Sequence, residues 1–354
     1  MELSDAIIHN FYDLTHEKLE AVLLESGLER FRADQLFRWV YGQREIDFTK
    51  MNNMSKTARA KIAELLRFEL PKTVSHLKSA DGTEKFLFEV GKGDTVEAVL
   101  IPADDRLTLC VSSEVGCNIG CKFCFTGKQK MKRRLTTAEI VGQYLAASNA
   151  STARNRRITN IVFMGMGEPL DNPDAVFSSI EILHAPLGCN LSKKKITVST
   201  SGIVPLIPRV TESGARLAVS LNGVNDEVRS QIMPINKRWP LKMLLESCRE
   251  HFRQSGDRVT FEYVLLKGIT DSLSDARALY RLTRDVPCKI NIIPFNEHPD
   301  SGFIRPDESQ IVKFQNELIR LGAHVLRRKT MGRDIYAACG QLRTVHEQTK
   351  VLTC

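Results

Sequence analysis

No stretch of this chain strings together the roughly 18 apolar residues that a membrane-crossing helix needs, so no span is expected. The opening residues, MELSDAIIHNFYDL, lack a basic segment followed by an apolar one, and a secretory leader is not expected. Internal sequence repeats and low-complexity tracts are missing too. Apolar residues make up 42% of the chain and charged ones 26%, which excludes a disordered or fibrous protein. Nor is there a disulfide framework. The nine cysteines are odd in number, the chain is long, and three of them crowd between Cys117 and Cys124. Such usage fits a reducing cytoplasm, where thiols serve chemistry. The last absence is the sharpest. EVGCNIGCKFCFTG reads C-x3-C-x2-C, one ligand short of a four-cysteine metal site.

What the chain does have is positive charge. Lys and Arg number 50 against 42 Asp and Glu, a net charge of +8. The excess concentrates in KQKMKRR (Lys128 to Arg134), RNRR (Arg154 to Arg157), KKK (Lys193 to Lys195) and RRK (Arg327 to Lys329). Any one cluster reads as a solvated face; together they favour a polyanionic partner such as nucleic acid.

At 354 residues the chain has room for two domains, although barrels often exceed that size as one unit. Residues 1–75 read as helical: THEKLEAVLLESG starts at a Thr cap, and RADQLFRWVYGQ and SKTARAKIAELLRF repeat the helical spacing. Residues 76–103 alternate polar and apolar around an Asp81-Gly82 turn, as a small β-extension would. From 104 to 345 strands and helices alternate, beginning with a strand at Leu107–Val115, and 346–354 form a tail. This rhythm predicts an α/β fold, a partial (β/α)6-type barrel, with an open doubly wound sheet as the alternative. Either way the chemistry belongs at the C-terminal ends of the strands.

The three cysteines follow the first barrel strand, in a loop where Gly116, Gly120 and Gly127 permit close wrapping. Thiolates hold iron–sulfur clusters, and three on a four-iron cluster leave one iron open to a substrate. A structural zinc site is the competing reading, but it favours paired C-x2-C units, which Cys189, Cys248 and Cys288 do not supply. FMGMGEP (Phe163 to Pro169) ends the next strand, where Glu168 is suited to an ammonium group. STSG (Ser199 to Gly202), SLN (Ser220 to Asn222) and PFN (Pro294 to Asn296) end later strands and suit ribose and carboxylate contacts. Cys110 lies in the first barrel strand, on the face of Thr108 and Ser112. Cys339 lies in a small-residue turn, AACG.

The cysteine triplet with Phe123 resembles the radical S-adenosylmethionine (SAM) superfamily, in which the open iron chelates SAM and an electron cleaves it to a 5′-deoxyadenosyl radical. The wider set TLCVSSEVGC, CKFC, MGMGEP, VSTSGIVP, MPIN, CKINIIPFN and AACGQL resembles the RlmN/Cfr family of RNA methyltransferases, in its RlmN branch, over nearly the whole chain. The resemblance implies one [4Fe-4S] cluster on Cys117, Cys121 and Cys124, and two SAM molecules per turnover. It implies that Cys339 carries the methyl group, that Cys110 resolves the covalent protein–RNA adduct by forming a transient disulfide with Cys339, and that Glu97 accepts a proton. A carboxylate in an alternating strand is otherwise expected to face solvent. SAM contacts carry over to Gly167, Glu168, Ser199, Ser220, Leu221, Asn222 and Asn296. The family usually has His where Asn222 stands and Asp where Tyr336 stands. The implied substrate is C2 of an adenosine in 23S rRNA and, for some members, of the adenosine beside the tRNA anticodon. The implied partners are an external electron donor and a thiol reductant, with the enzyme acting as a cytoplasmic monomer. Three alternatives stand beside this: a C8 methyltransferase of the Cfr branch, a different radical enzyme, and a non-catalytic RNA-binding protein with a structural metal.

Overall fold

The computed structural model describes residues 8–91, 93–150, 157–298 and 301–342. The expected tail 346–354 and Arg154 to Arg156 of the RNRR cluster lie outside these residues.

The helical segment comes first. Helix α1 (His16–Glu25) begins where the Thr15 hydroxyl accepts a hydrogen bond from Lys18 N. Helix α2 (Arg32–Phe37) runs on into a wider π-type turn over Arg38–Gly42. Helix α3 (Lys56–Leu65) is capped by Ser55, which accepts from Ala58 N. Ser and Thr in these positions satisfy amide groups that a helix start leaves unpaired. Phe11, Phe37, Tyr41 and Phe68 form one aromatic cluster between these elements.

A single ten-stranded sheet follows. Strands β1 (Lys72–Lys78), β2 (Glu84–Val90) and β3 (Asp94–Pro102) pair antiparallel, and β3 pairs antiparallel with β4 (Leu107–Cys110). From β4 the sheet is parallel through β5 (Asn160–Phe163), β6 (Ile196–Thr200), β7 (Arg216–Ser220), β8 (Val259–Leu265), β9 (Cys288–Pro294) and β10 (Val325–Arg327). Helices α4 (Thr137–Ala150), α5 (Pro173–His184), α6 (Ile207–Ser213), α7 (Asp226–Ile232), α8 (Leu241–Ser255), α9 (Leu273–Thr283) and α10 (Glu308–Arg320) fill the connections. Strand–helix–parallel strand units need such crossovers. The sheet runs from β1 at one edge to β10 at the other without closing, so the barrel is partial, as expected.

Three boundaries differ from the sequence reading. The β-extension begins at Lys72, directly after Pro71, rather than at residue 76, and a short parallel pair, His9–Asn10 with Leu66–Arg67, already lies in the helical segment. The β-extension is continuous with the barrel sheet through the β3–β4 pairing. The strand expected over Leu107–Val115 stops at Cys110 because Gln143 of α4 intrudes. Its side chain accepts from Ser112 N at 2.8 Å and donates to Ser112 O at 2.9 Å, taking the place of a neighbouring strand.

The helical segment is docked at named contacts. Asp13 accepts from Ala138 N at 2.7 Å, satisfying an amide in the first turn of α4. Gly142, inside α4, lies against Pro71; a Cβ there would stand 2.2 Å from the Pro71 ring. No helix among the described residues is long and apolar enough to cross a membrane.

Candidate active site

The C-terminal ends of β4 to β9 surround a cavity of ≈ 170 Å³. Cys117, Cys121 and Cys124 line it together, as do Gly167, Glu168, Ser199, Ser220, Asn222, Asn296 and Cys339. The three-cysteine loop is wound tightly. Gly116 has φ +84, and a Cβ there would lie 2.5 Å from Lys130 O; one at Gly127 would lie 2.6 Å from Cys121 O. Burial pushes all three thiols up, outweighing the backbone amides beside them, the Thr126 hydroxyl near Cys124 and the Arg229 charge near Cys121; bound iron would hold them as thiolates. The three thiols share the wall of one cavity, and among the described residues no three His, Cys, Asp or Glu converge to hold a single ion. Three cysteines on one cavity wall suit a cluster whose irons each take one thiolate.

The cavity also holds unspent polar atoms. Ser201 lines it, is buried, and its hydroxyl has no partner. Buried hydroxyls in native proteins are nearly always paired, so this one fits a ligand atom. Ser201 was missed in sequence, although it stands inside the quoted STSG.

Glu168 is buried in the wall, and its carboxylate already accepts from Leu170 N at 3.1 Å and Ser201 N at 2.7 Å. Burial raises its pKa. Behind it Glu114 accepts from Glu168 N at 2.9 Å, and burial pushes the Glu114 carboxyl up to about 8. Gly167, at φ +97, leaves room for that contact; a Cβ would sit 2.6 Å from Glu114 Cβ.

Asn222 has φ +52, a left-handed conformation that Asn tolerates better than most residues. Its side chain accepts from Val264 N at 2.9 Å and donates to Met233 Sδ at 3.3 Å. Leu221 does not line the cavity; its side chain is in the core, and its carbonyl accepts from Arg229 Nε at 2.8 Å. Asn296 donates to Cys339 O at 3.2 Å and accepts from Thr330 Oγ1 at 3.1 Å, so its amide is spent on the Cys339 loop.

That loop is stitched to the three-cysteine loop. Phe125 N donates to Gly340 O at 2.8 Å, and Thr126 Oγ1 donates to Leu342 O at 2.7 Å. Cys339 lines the first cavity and also a second one of ≈ 550 Å³. Cys110 lines the second alone, together with Glu262, Asn291 and Arg328. Burial, then the Cys339 thiol, pushes Cys110 up to about 12, while Arg328 opposes the rise. The same Cys339 charge, followed in effect by Glu262 and Cys110, pushes the Arg328 pKa up. The two thiols, far apart in sequence, therefore face one cation. All eight described cysteines are free.

Glu97 corrects the expectation of a solvent-facing carboxylate. It is 3% exposed, and Lys85 Nζ lies 3.0 Å from its Oε1. It lines neither cavity.

The basic clusters need correction as well. In KQKMKRR, Lys132 and Arg133 pair with Asp94, Arg133 also pairs with Glu139, and Arg134 pairs with Asp171. Lys194 pairs with Asp257 and Arg327 with Glu308. Much of the positive charge thus serves internal ion pairs. No local pattern signals this, because the acidic partners lie in other elements.

Comparison with known proteins agrees with this geometry. Residues 111–280 match the Radical SAM superfamily, and residues 9–67 match the Ribosomal RNA large subunit methyltransferase N-terminal domain. A Dual-specificity RNA methyltransferase RlmN of Bdellovibrio bacteriovorus is 63% identical over 97% of this chain and 86% of its own length. The protein of that name from Rhodospirillum rubrum is 48% identical over 95% of this chain and 80% of its own. The crystal structure of a radical SAM methyltransferase from Sphaerobacter thermophilus superposes with a TM-score of 0.88 at 43% identity, covering 94% of this chain and 99% of that one.

Proposed function

The chain belongs to the RlmN family of radical SAM RNA methyltransferases, and from that premise we propose that it methylates C2 of a specific adenosine in 23S rRNA and of the adenosine beside the tRNA anticodon. The observation that carries this reading is the pair of free thiols, Cys110 and Cys339, beside a cavity lined by three further cysteines. An amidine carbon such as C2 is not nucleophilic enough to displace a methyl group from a sulfonium. The methyl must therefore be delivered from a second carrier.

Cys117, Cys121 and Cys124 would hold a [4Fe-4S] cluster, which supplies the electron that cleaves SAM. Ser199, Ser201 and Ser220 orient SAM in the first cavity, and the walls set by Gly167, Glu168 and Asn222 shape it. Cys339 takes a methyl group from one SAM, a second SAM activates that group, and two SAM are consumed per turnover. Asn296, by holding the Cys339 carbonyl, fixes the loop that presents it. Glu97 takes the C2 proton from the adduct. The Cys110 thiolate attacks the Cys339 sulfur; the S–C bond breaks, its electron pair leaves with the carbon, which takes a proton to become the methyl group, and a disulfide is left between the two cysteines. A thiol reductant must then restore both, and an external donor must supply the electron. The cytoplasm provides that setting, and the enzyme works as a monomer.

We assign residues 1–75 to RNA docking and 104–345 to the catalytic barrel, with the β-extension 76–103 contributing Glu97 to the reaction. The target base must leave its stack to reach Cys339. The RlmN name of both relatives favours C2 over C8. Anaerobic incubation of iron-loaded enzyme with SAM and rRNA or tRNA fragments, followed by mass spectrometry and NMR of the product, tests the reading. A methyl on C2 is expected; one on C8, or none, overturns it.

A further inference from the structure

Lysine is among the residues least often buried, yet Lys85 is 3% exposed. It lies on β2, the strand next to the sheet's edge. The β2–β3 register sets Lys85 opposite Val99 and Leu87 opposite Glu97, so Lys85 and Glu97 share one face. The β3–β4 register sets Val99 opposite Cys110, which adds Cys110 to that face. Val99, Ile101 and Cys110 line the second cavity. Lys85 Nζ lies 3.0 Å from Glu97 Oε1 and donates to Tyr336 O at 3.4 Å, three residues before Cys339. The buried pair thus shares a sheet face with Cys110 and is tied to the backbone of the Cys339 loop.

A buried ion pair is poor value for stability alone, because desolvating two charges offsets most of their attraction. Its evident effect is on Glu97. In so dry a place a lone carboxylate would hold its proton at neutral pH. A group that already carries a proton cannot take another from C2.

We propose that Lys85 is a positioning residue of the reaction, whose ammonium keeps the buried Glu97 carboxylate ionised and turned toward the Cys110–Cys339 pair. The inference rests on the reading of Glu97 as proton acceptor. In that step the C2–H bond breaks, its electron pair stays in the ring, and a new O–H bond forms on Glu97. Lys85 touches no reacting atom. It sets the charge on the group that does.

Two measurements on Lys85→Met test this. The first needs no metal, SAM or RNA. Infrared difference spectra of metal-free protein should show one protonated-carboxyl stretch in K85M beyond those of wild type, where Glu114 already contributes, and K85M/E97Q should lack that added band. In K85R, which keeps the charge, the band should be missing. The second measurement uses iron-loaded enzyme with SAM and RNA. K85M should still methylate Cys339 but accumulate covalent protein–RNA adduct, with product release slowed about a hundredfold, as expected for losing a general base. Glu97→Gln should do the same, and K85R should recover most of the rate. A purely structural Lys85 would instead lower Cys339 methylation and adduct formation in parallel, with no new infrared band.

An ionised Glu97 in K85M, or normal release by K85M alongside arrested E97Q, overturns the proposal. Normal release by E97Q would instead overturn the role given to Glu97, and the infrared band would still decide what Lys85 does.

Discussion

Arg229 offers the strongest test of how the SAM-facing loops are held. It is fully buried, and among the described residues it forms no ion pair with a carboxylate, although the Asp226 charge acts on it from nearby. Its Nε donates to Leu221 O at 2.8 Å, and its Nη2 to Ser201 O at 2.5 Å and Ser220 O at 3.1 Å. Its Nη1 donates to Asn236 Oδ1 at 2.8 Å. One guanidinium therefore ties the ends of β6 and β7 to the MPIN turn. Burial lowers its pKa to about 10, so it stays charged at neutral pH. Arg229→Met removes every donor and leaves three carbonyls and one amide oxygen unmatched. Each buried acceptor left unpaired costs about 1–3 kcal/mol. Part is recovered where water enters, so we expect a total of about 3–5 kcal/mol. That corresponds to a melting temperature lower by about 5–10 °C. Because Ser201 and Ser220 line the cavity, SAM affinity should fall as well, by about tenfold or more. Calorimetry and equilibrium dialysis measure the two effects. Arg229→Lys keeps the charge but cannot span all four acceptors, and should lie between. If R229M melts within about 2 °C of wild type and binds SAM equally well, the guanidinium does not hold the loops and the reasoning is refuted.

Other outcomes follow from single groups. Gly127→Ala would place a Cβ 2.6 Å from Cys121 O, so its loop must shift. The reconstituted protein should lose most of its iron–sulfur absorbance, while the melting temperature of the metal-free protein falls by the equivalent of about 1–3 kcal/mol. Ser201→Ala removes a hydroxyl that has no partner in the protein. Stability in urea should change by less than about 0.5 kcal/mol, whereas SAM binding should weaken about tenfold, the worth of one hydrogen bond. Glu114 has a folded pKa of about 8 against an ordinary 4.5. A raised carboxyl contributes stability that is complete below the unfolded value and is lost as pH rises through the folded one. Glu114→Gln stays neutral throughout, so its stability relative to wild type should climb between about pH 4.5 and pH 8 in urea titrations of metal-free protein. A flat difference across that window would contradict the burial argument.

The parts legible in sequence are those written locally. Thr15 and Ser55 mark helix starts because a cap acts within three residues. The parallel strands follow from short apolar runs between helical patterns, and their ends carry the cysteine loop, MGMGEP, STSG and SLN into one cavity. Cys110 and Cys339 were singled out by a resemblance, since nothing local distinguishes a catalytic thiol from a buried one. What stayed hidden depends on partners far along the chain. Glu97 read as an ordinary strand carboxylate until the β2–β3 register brought Lys85 against it. Gln143 ended a strand from within a helix. Arg229 carries no local signal, yet it fills the space beneath three loops. The ion pairs inside the basic clusters stayed hidden for the same reason, because Asp94, Glu139, Asp171, Asp257 and Glu308 each lie in a different element from the cation they meet.

The central claim is that Cys339 carries the transferred carbon and Cys110 frees it. The most direct measurement is to incubate iron-loaded Cys110→Ala enzyme anaerobically with SAM and substrate RNA, then digest and sequence the product by mass spectrometry. The account predicts an RNA fragment covalently bound to Cys339 through one methylene carbon, with little free methylated RNA. Methylated RNA released at the wild-type rate, with Cys339 unlinked, would contradict it.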